Sequence, residues 1–116
     1  SDMALAEQAV ERFHQQMNAQ QFEAIYDEAA EEFQKADSKE QTVDFLRIVA
    51  KKLGDVRSAK KTHWNANFAF GQTDVTLVYE TQFKEDLARE QFLYRVKDSK
   101  AKLLTYNVQA KALITR

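Results

Sequence analysis

The sequence contains no cysteine and no proline, and only two of its 116 residues are glycine. A chain without cysteine forms no disulfide, has no thiol nucleophile and binds no metal through thiolates. No run approaches the roughly 18 consecutive apolar residues that a membrane-spanning helix needs. We therefore expect one globular domain over residues 1–116, with no membrane span and no cofactor. Within it, residues 1–3 (Ser-Asp-Met) have the character of a cloning remnant.

A strong excess of charge of one sign is absent as well, since the net charge is −1. Residues 1–53 carry 11 acidic and 6 basic side chains, whereas residues 54–116 carry 7 acidic and 11 basic ones. Nucleic-acid-binding domains usually concentrate their basic residues in a dense stripe with exposed aromatic residues between them. Here the basic residues are spread over predicted strands and turns, so we expect no nucleic-acid partner.

The first half of the chain has helical spacing, with apolar residues recurring at steps of three and four. This period predicts helices over about residues 4–18 and 21–35, and a third helix that begins after Ser38. Ser38 and Gln41 have the spacing of a capping box, in which each side chain bonds the backbone of the other residue. Gly54 follows the last apolar residue, at the position where a left-handed residue commonly ends a helix. The sequence therefore predicts three helices before the strands.

The second half alternates between apolar and polar residues from about residue 62 to residue 110, which is typical of strands that bury one face. Polar turns at residues 71–73, 84–86 and 98–100 divide this region into four strands. The apolar parity of the first strand consists of Trp64, Ala66, Phe68 and Phe70. We therefore predict an α+β fold, in which three N-terminal helices pack on one face of a four-stranded antiparallel meander sheet. Its core is predicted to include Phe22, Phe45, Trp64 and Phe92.

Several segments together resemble one superfamily. They are residues 21–26 (QFEAIY), Leu53-Gly54, residues 76–83, residues 90–92 and residues 104–108 (LTYNV). With the order of helices and strands, they make the chain similar to the nuclear-transport-factor-2-like superfamily of cone-shaped, cystatin-like domains. Within that superfamily the chain resembles small bacterial families of unknown function.

The resemblance implies a concave sheet with a helix across its mouth and, in many members, a dimer. Many of the bacterial families are exported or lipid-anchored, so we expect a periplasmic or cell-envelope location, with a cytoplasmic location as the alternative. The resemblance implies no single activity, because this fold hosts isomerases, dehydratases, carriers and scaffolds.

No motif for catalysis or metal binding stands out among the polar residues. The two histidines, His14 and His63, lie on different predicted elements without the spacing of metal ligands, and we expect both on the surface. Three carboxylates in a row on the second helix, Glu23, Asp27 and Glu31, are typical of a solvated helix face. We therefore predict no catalytic residue and no metal ligand.

Glu90 is the one acidic residue predicted on the apolar side of a strand, because it is two residues from Phe92 and four from Tyr94 and so points to the same side. A carboxylate enclosed by aromatic side chains loses hydration, holds its proton more tightly and can act as a general base. Members of the ketosteroid-isomerase type within this fold place an acid and tyrosines in the cone. The alternative is an acid near the rim that bonds a tyrosine hydroxyl or a lysine. The residues predicted to line a ligand site in the cone are Trp64, Tyr79, Glu90, Tyr94 and Tyr106.

These aromatic residues also suit a packed core, which is the interpretation that we favour. We therefore predict a non-catalytic binding or interaction domain, whose partner is a protein or a small apolar ligand. The alternative is a small-molecule enzyme or carrier that uses an aromatic cone pocket with Glu90. The polar parity of the sheet predicts a monomer or a weak homodimer, because a stable dimer core is usually depleted of charge. That parity includes Gln82, Arg89, Arg95 and Asn107.

Overall fold

A computed structural model describes residues 1–114 and has an α+β architecture. Four helices precede the sheet: α1 (Asp2–Asn18), α2 (Phe22–Glu28), α3 (Glu31–Ala36) and α4 (Lys39–Leu53). The strands are β1 (Val56–Ala69), β2 (Gln72–Phe83), β3 (Leu87–Lys97) and β4 (Lys100–Gln109). A short helix, α5 (Lys111–Ile114), follows the last strand.

The four strands form one open antiparallel sheet in the order β1-β2-β3-β4. Each strand pairs with the next one in sequence, so the predicted four-stranded meander is confirmed. Phe92 in β3 lies opposite Leu77 in β2 and Tyr106 in β4. Residues directly opposite each other in an antiparallel pair point to the same face, so these three share one side of the sheet. Helix α1 contacts all four strands.

The predicted capping box at the start of α4 is confirmed. The Ser38 hydroxyl accepts a hydrogen bond from the Gln41 backbone N–H at 3.0 Å, and the Gln41 side chain accepts one from the Ser38 N–H at 3.1 Å. The helix ends at Gly54, which has a φ of +76° and whose N–H donates to the Ala50 carbonyl at 2.9 Å. Local sequence therefore accounts for both ends of this helix.

The prediction of one helix over residues 21–35 is wrong, because the chain breaks between α2 and α3. Ala29 and Ala30 both adopt extended backbone angles. The Ala30 N–H donates to the Leu103 carbonyl in β4 at 2.9 Å, which fixes the break against the sheet. Four helices therefore precede the sheet instead of three.

Two of the four predicted core aromatics are buried, and two are not. Phe22 and Phe92 lie in the core, whereas Phe45 is 47% exposed and Trp64 is 59% exposed. Trp64 lies opposite the buried Leu77, so its predicted side of the sheet is correct. It is exposed because residues 63–69 of the edge strand β1 have no helix above them. The alternation of residues identifies a face but does not reveal whether another element covers it.

Candidate functional site

Glu90 lies on the interior strand β3, and its side chain has no solvent-exposed surface. The alternation of β3 places it on the same face as Phe92, beneath the helices. The Thr81 hydroxyl of β2 donates to Oε1 of Glu90 at 2.7 Å, and the Tyr106 hydroxyl of β4 donates to Oε2 at 2.5 Å. Three adjacent strands therefore contribute to one buried polar cluster.

His14 of α1 completes this cluster from the helical layer. Its Nε2 lies 2.6 Å from Oε1 of Glu90, and the residue is 8% exposed. The prediction of a surface His14 is therefore wrong. Ala6, Val10 and His14 form an i, i+4 row, and the first two are buried. This row was a signal in the sequence that could have placed His14 on the inner face of α1.

Aromatic rings enclose the cluster. Phe92 makes an edge contact with Phe13, with ring centroids 5.1 Å apart, and an edge contact with His14 at 5.9 Å. The ring of Tyr106 packs on Phe92 at 5.2 Å, and the ring of Tyr94 stacks on it at 6.0 Å. The four hydrogen-bonding groups therefore sit in a mainly apolar environment, where hydrogen bonds are stronger than in water.

The tyrosines around the cluster hold their phenolic protons tightly. Burial raises the pKa of Tyr106 well above its ordinary value, and the negative charge of Glu90 raises it further. Burial and the same charge also raise the pKa of Tyr94. Burial, with a contribution from Glu7, raises the pKa of Tyr79 to about 12. At neutral pH the Tyr106 hydroxyl is therefore a hydrogen-bond donor to Glu90.

Four of the five predicted site residues lie close together. Glu90 bonds Tyr106, Tyr79 is directly opposite Glu90 on β2, and Tyr94 lies four residues after Glu90 on the same side of β3. Trp64 is the exception, because it lies on the exposed part of β1 with the Lys61 ammonium 4.6 Å from its ring. Trp64 therefore does not belong to the cluster around Glu90.

The other polar residues considered in the sequence lie on the surface as predicted. His63 is exposed on β1, and the carboxylates of Glu23, Asp27 and Glu31 are exposed on α2 and α3. Within residues 1–114, no group of three or more histidine, aspartate or glutamate side chains is arranged to hold a metal ion. Of the two histidines, His14 is therefore the buried one, and it contacts Glu90.

Both carboxylate oxygens of Glu90 already accept hydrogen bonds from protein groups. In the part of the chain that the structure describes, no buried side-chain nitrogen or oxygen lacks a partner. Breaking such a network leaves buried polar groups unsatisfied, which costs about 1–3 kcal/mol for each group. The cluster therefore joins α1 to the sheet, and each oxygen of Glu90 is already bonded to a protein group.

An open groove of about 400 Å³ lies beside this cluster. Tyr106 contributes to both, because it lines the groove and its hydroxyl bonds Glu90. The other lining residues come from α3, the turn after it, and α4: they are Phe33, Asp37, Gln41, Thr42, Phe45 and Leu46. The sequence did not predict this groove, because its walls depend on how α3 and α4 are placed over β4.

No protein-family model matches this chain, and the search among curated proteins finds no match. None of the helices between residues 1 and 114 combines the length and the apolar character needed to cross a bilayer.

Proposed function

We propose that this chain is a non-catalytic binding domain, and that it holds a small apolar ligand in the groove between α3, α4 and β4. The observation that carries the proposal is the complete burial of Glu90, with each carboxylate oxygen bonded to protein groups. A general base must come within hydrogen-bonding distance of the proton that it removes. Glu90 is the acid that the sequence suggested for such a role, and its side chain has no exposed surface that a substrate could contact.

The groove has the properties of a ligand site. Its volume of about 400 Å³ falls within the range of roughly 300–1,000 Å³ that is common for small-molecule pockets. Phe33, Phe45, Leu46 and Tyr106 provide apolar walls, while Asp37 and Gln41 provide polar groups at its border. Phe45 is half exposed, and covering its ring with an apolar ligand would remove unfavourable contact with water.

Binding of N-phenyl-1-naphthylamine, an uncharged fluorescent probe, tests this proposal. We expect saturable binding, and a loss of about tenfold or more in affinity in Phe45→Ala, because the variant removes one apolar wall. Ile48→Ala is the matched control, since Ile48 is similarly exposed on α4 but does not line the groove. Equal affinity in the wild type and Phe45→Ala, or an equal loss in both variants, would contradict the proposal.

A second candidate is a small-molecule enzyme or carrier that uses Glu90. The 2.6 Å contact between His14 and Glu90 favours it, because buried acid–base pairs are common in catalytic sites. Tyr106 lies between the groove and the carboxylate, so a ligand would reach Glu90 only if this side chain moved. A ligand that raises the melting temperature of the wild type but not of Glu90→Gln would support this candidate over the first.

We also propose that the chain is a member of the nuclear-transport-factor-2-like superfamily, with a cone-shaped sheet, and that it works in the bacterial periplasm or cell envelope. The α+β order with an antiparallel meander supports the superfamily assignment, and the sequence resemblance supports the location. Cell fractionation of the protein expressed from its full native gene tests the location. Recovery in the cytoplasmic fraction alone would contradict it.

A further inference from the structure

Part of the edge strand β1 lacks the charges and prolines that normally prevent edge strands from pairing with other chains. The strand is 14 residues long, and residues 62–70 contain no Asp, Glu, Lys, Arg or Pro. Edge strands of monomeric proteins are usually short or carry charges and prolines, because their free N–H and C=O groups can accept another strand. In a chain with 30% charged residues, this uncharged edge segment of nine residues is unusual.

The same segment exposes a strip of apolar side chains. Trp64 and Ala66 lie opposite the buried Leu77 and Val75, so they point to the helix side of the sheet, and Phe68 shares their parity. Trp64 is 59% exposed and Phe68 is 74% exposed, and Phe70 at the turn is fully exposed. Several exposed aromatic side chains along one unpaired strand are a candidate interaction surface.

The sequence of this strip is close to symmetrical about Ala66. Trp64 and Phe68 flank the two asparagines, Asn65 and Asn67, which flank Ala66. In an antiparallel pair of identical strands centred on Ala66, each Ala66 would meet its own equivalent. Asn65 would then face Asn67, and Trp64 would face Phe68. Such self-complementarity is what a two-fold interface requires.

We infer that two copies of this chain associate through β1, antiparallel and centred on Ala66, to form one continuous eight-stranded sheet. Trp64 of one copy then packs beside Phe68 of the other on the helix side, and aromatic cross-strand pairs of this kind stabilise sheets. This interface differs from the outer face of the sheet, where Arg89 lies. It does not depend on the ligand groove.

The charges of β1 are compatible with this register. Lys60 and Lys61 lie outside the paired segment, and in this alignment they fall opposite Gln72 and Gly71 of the other copy. No like charges therefore face each other across the two-fold axis. The β-bulge between Lys61 and His63 interrupts the regular ladder of β1 at the border of the uncharged segment, so we place the limit of the pairing there.

The exposed aromatic surface of the strip has the size of a weak, reversible interface. A fully exposed aromatic side chain offers roughly 200 Å², so Trp64, Phe68 and Phe70 together offer roughly 450 Å² in each copy. Two copies therefore offer at most roughly 900 Å² of aromatic surface, before the backbone is counted, against the ~1,000 Å² that a specific interface needs. We therefore expect a dimer that dissociates on dilution.

Charges introduced at Ala66 provide the test, because this position meets itself only in the proposed register. Ala66 is exposed, so Ala66→Lys and Ala66→Glu should both fold. Each variant places two like charges in contact, and dimerisation should weaken by about tenfold or more. An equimolar mixture of the two variants pairs opposite charges and should restore the dimer. Ala59→Lys, at an exposed position on the same strand outside the paired segment, should dimerise like the wild type.

Sedimentation velocity over a concentration series measures the association. Fluorescence provides a second readout, because Trp64 is the one tryptophan and its emission should shift to shorter wavelength as the dimer forms. A wild-type protein that stays monomeric at all concentrations would overturn the inference. Binding of the exposed aromatic residues to lipid vesicles or to another protein would not rescue it in that case. A dimer that both variants leave intact, or that the mixture does not restore, would overturn it too. Phe45→Ala should dimerise normally, which separates this test from that of the groove.

Discussion

Nε2 of His14 lies 2.6 Å from Oε1 of Glu90, and this contact joins two residues that are 76 positions apart in the chain. It connects the C-terminal part of α1 to the first half of β3, inside an otherwise apolar layer. Satisfied buried polar networks favour one arrangement of the elements that carry them, because any shift leaves polar groups without partners. We therefore infer that the cluster fixes the position of α1 on the sheet.

The first prediction concerns this pair. Glu90→Gln should lower the free energy of unfolding by about 3–5 kcal/mol, because the amide NH₂ group would face groups that donate to the carboxylate. In a double-mutant cycle with His14→Ala, we expect a coupling energy of about 1–3 kcal/mol. Urea denaturation measures all four proteins. Glu80→Gln, at an exposed position on β2, is the control and should have little effect. A coupling energy near zero would show that the two side chains do not interact in solution.

The second prediction compares two aromatic residues that the sequence placed in the core. Phe92→Ala should cost about 3–5 kcal/mol, because it leaves a cavity at a fully buried position. Trp64→Ala should cost less than about 1 kcal/mol in the monomer, because the indole is mostly exposed. This replaces the expectation of a large cost for Trp64 that follows from its strand parity alone. Urea midpoints, measured at concentrations where the protein is monomeric, distinguish the two variants. Similar losses of unfolding free energy in Phe92→Ala and Trp64→Ala would contradict the exposure of β1.

The third prediction concerns the two glycines. Both have a positive φ, +76° at Gly54 and +75° at Gly71. A Cβ at Gly54 would lie 3.0 Å from Cβ of Lys84, whereas one at Gly71 would have nothing within 4 Å. We expect Gly54→Ala to cost about 2–4 kcal/mol, from backbone strain plus this contact, and Gly71→Ala about 1–2 kcal/mol, from strain alone. Thermal or urea unfolding measures both, and a larger cost at Gly71 would contradict the structure.

The fourth prediction concerns alkaline pH. The pKa of Tyr79 is raised to about 12 in the folded protein, against about 10 in an unfolded chain. Between these values the folded state holds a proton that the unfolded state has lost, so stability falls as pH rises. We expect the contribution of Tyr79 to the urea midpoint to be constant below pH ~10 and to decline as the pH rises through about 12. Tyr79→Phe should make this decline less steep, and an unchanged slope would show that Tyr79 titrates normally.

The parts of the fold that the sequence predicted correctly are those with local causes. The capping box of Ser38 and Gln41 involves residues three positions apart, and Gly54 ends α4 through its own backbone angles. The inward parity of β2 and β3, and with it the position of Glu90, follows from the alternation of side chains along a strand. Such features require no knowledge of distant residues.

Contacts between distant residues decided the rest. No glycine or proline near Ala29 and Ala30 indicates a break in the helix. The break depends on the hydrogen bond from the Ala30 N–H to the Leu103 carbonyl in β4. Tyr26 and Gln34 then bond each other across the break, which a continuous helix would not require. Alanine has the highest helix propensity, so local preference favours a helix at both positions. The hydrogen bond to β4 outweighs this preference.

By itself, the sequence determined which half of the chain is mainly helical, which half forms the sheet and which side of each strand is apolar, because these depend on near neighbours and on the period of the backbone. Only the tertiary structure decided what covers each apolar side. It brought His14 over Glu90 and closed the cluster, and it left Trp64 and Phe68 of the same sheet face without a helix above them. The physical reason is that burial is a property of two packed elements, and one strand or helix carries the pattern of only one of them.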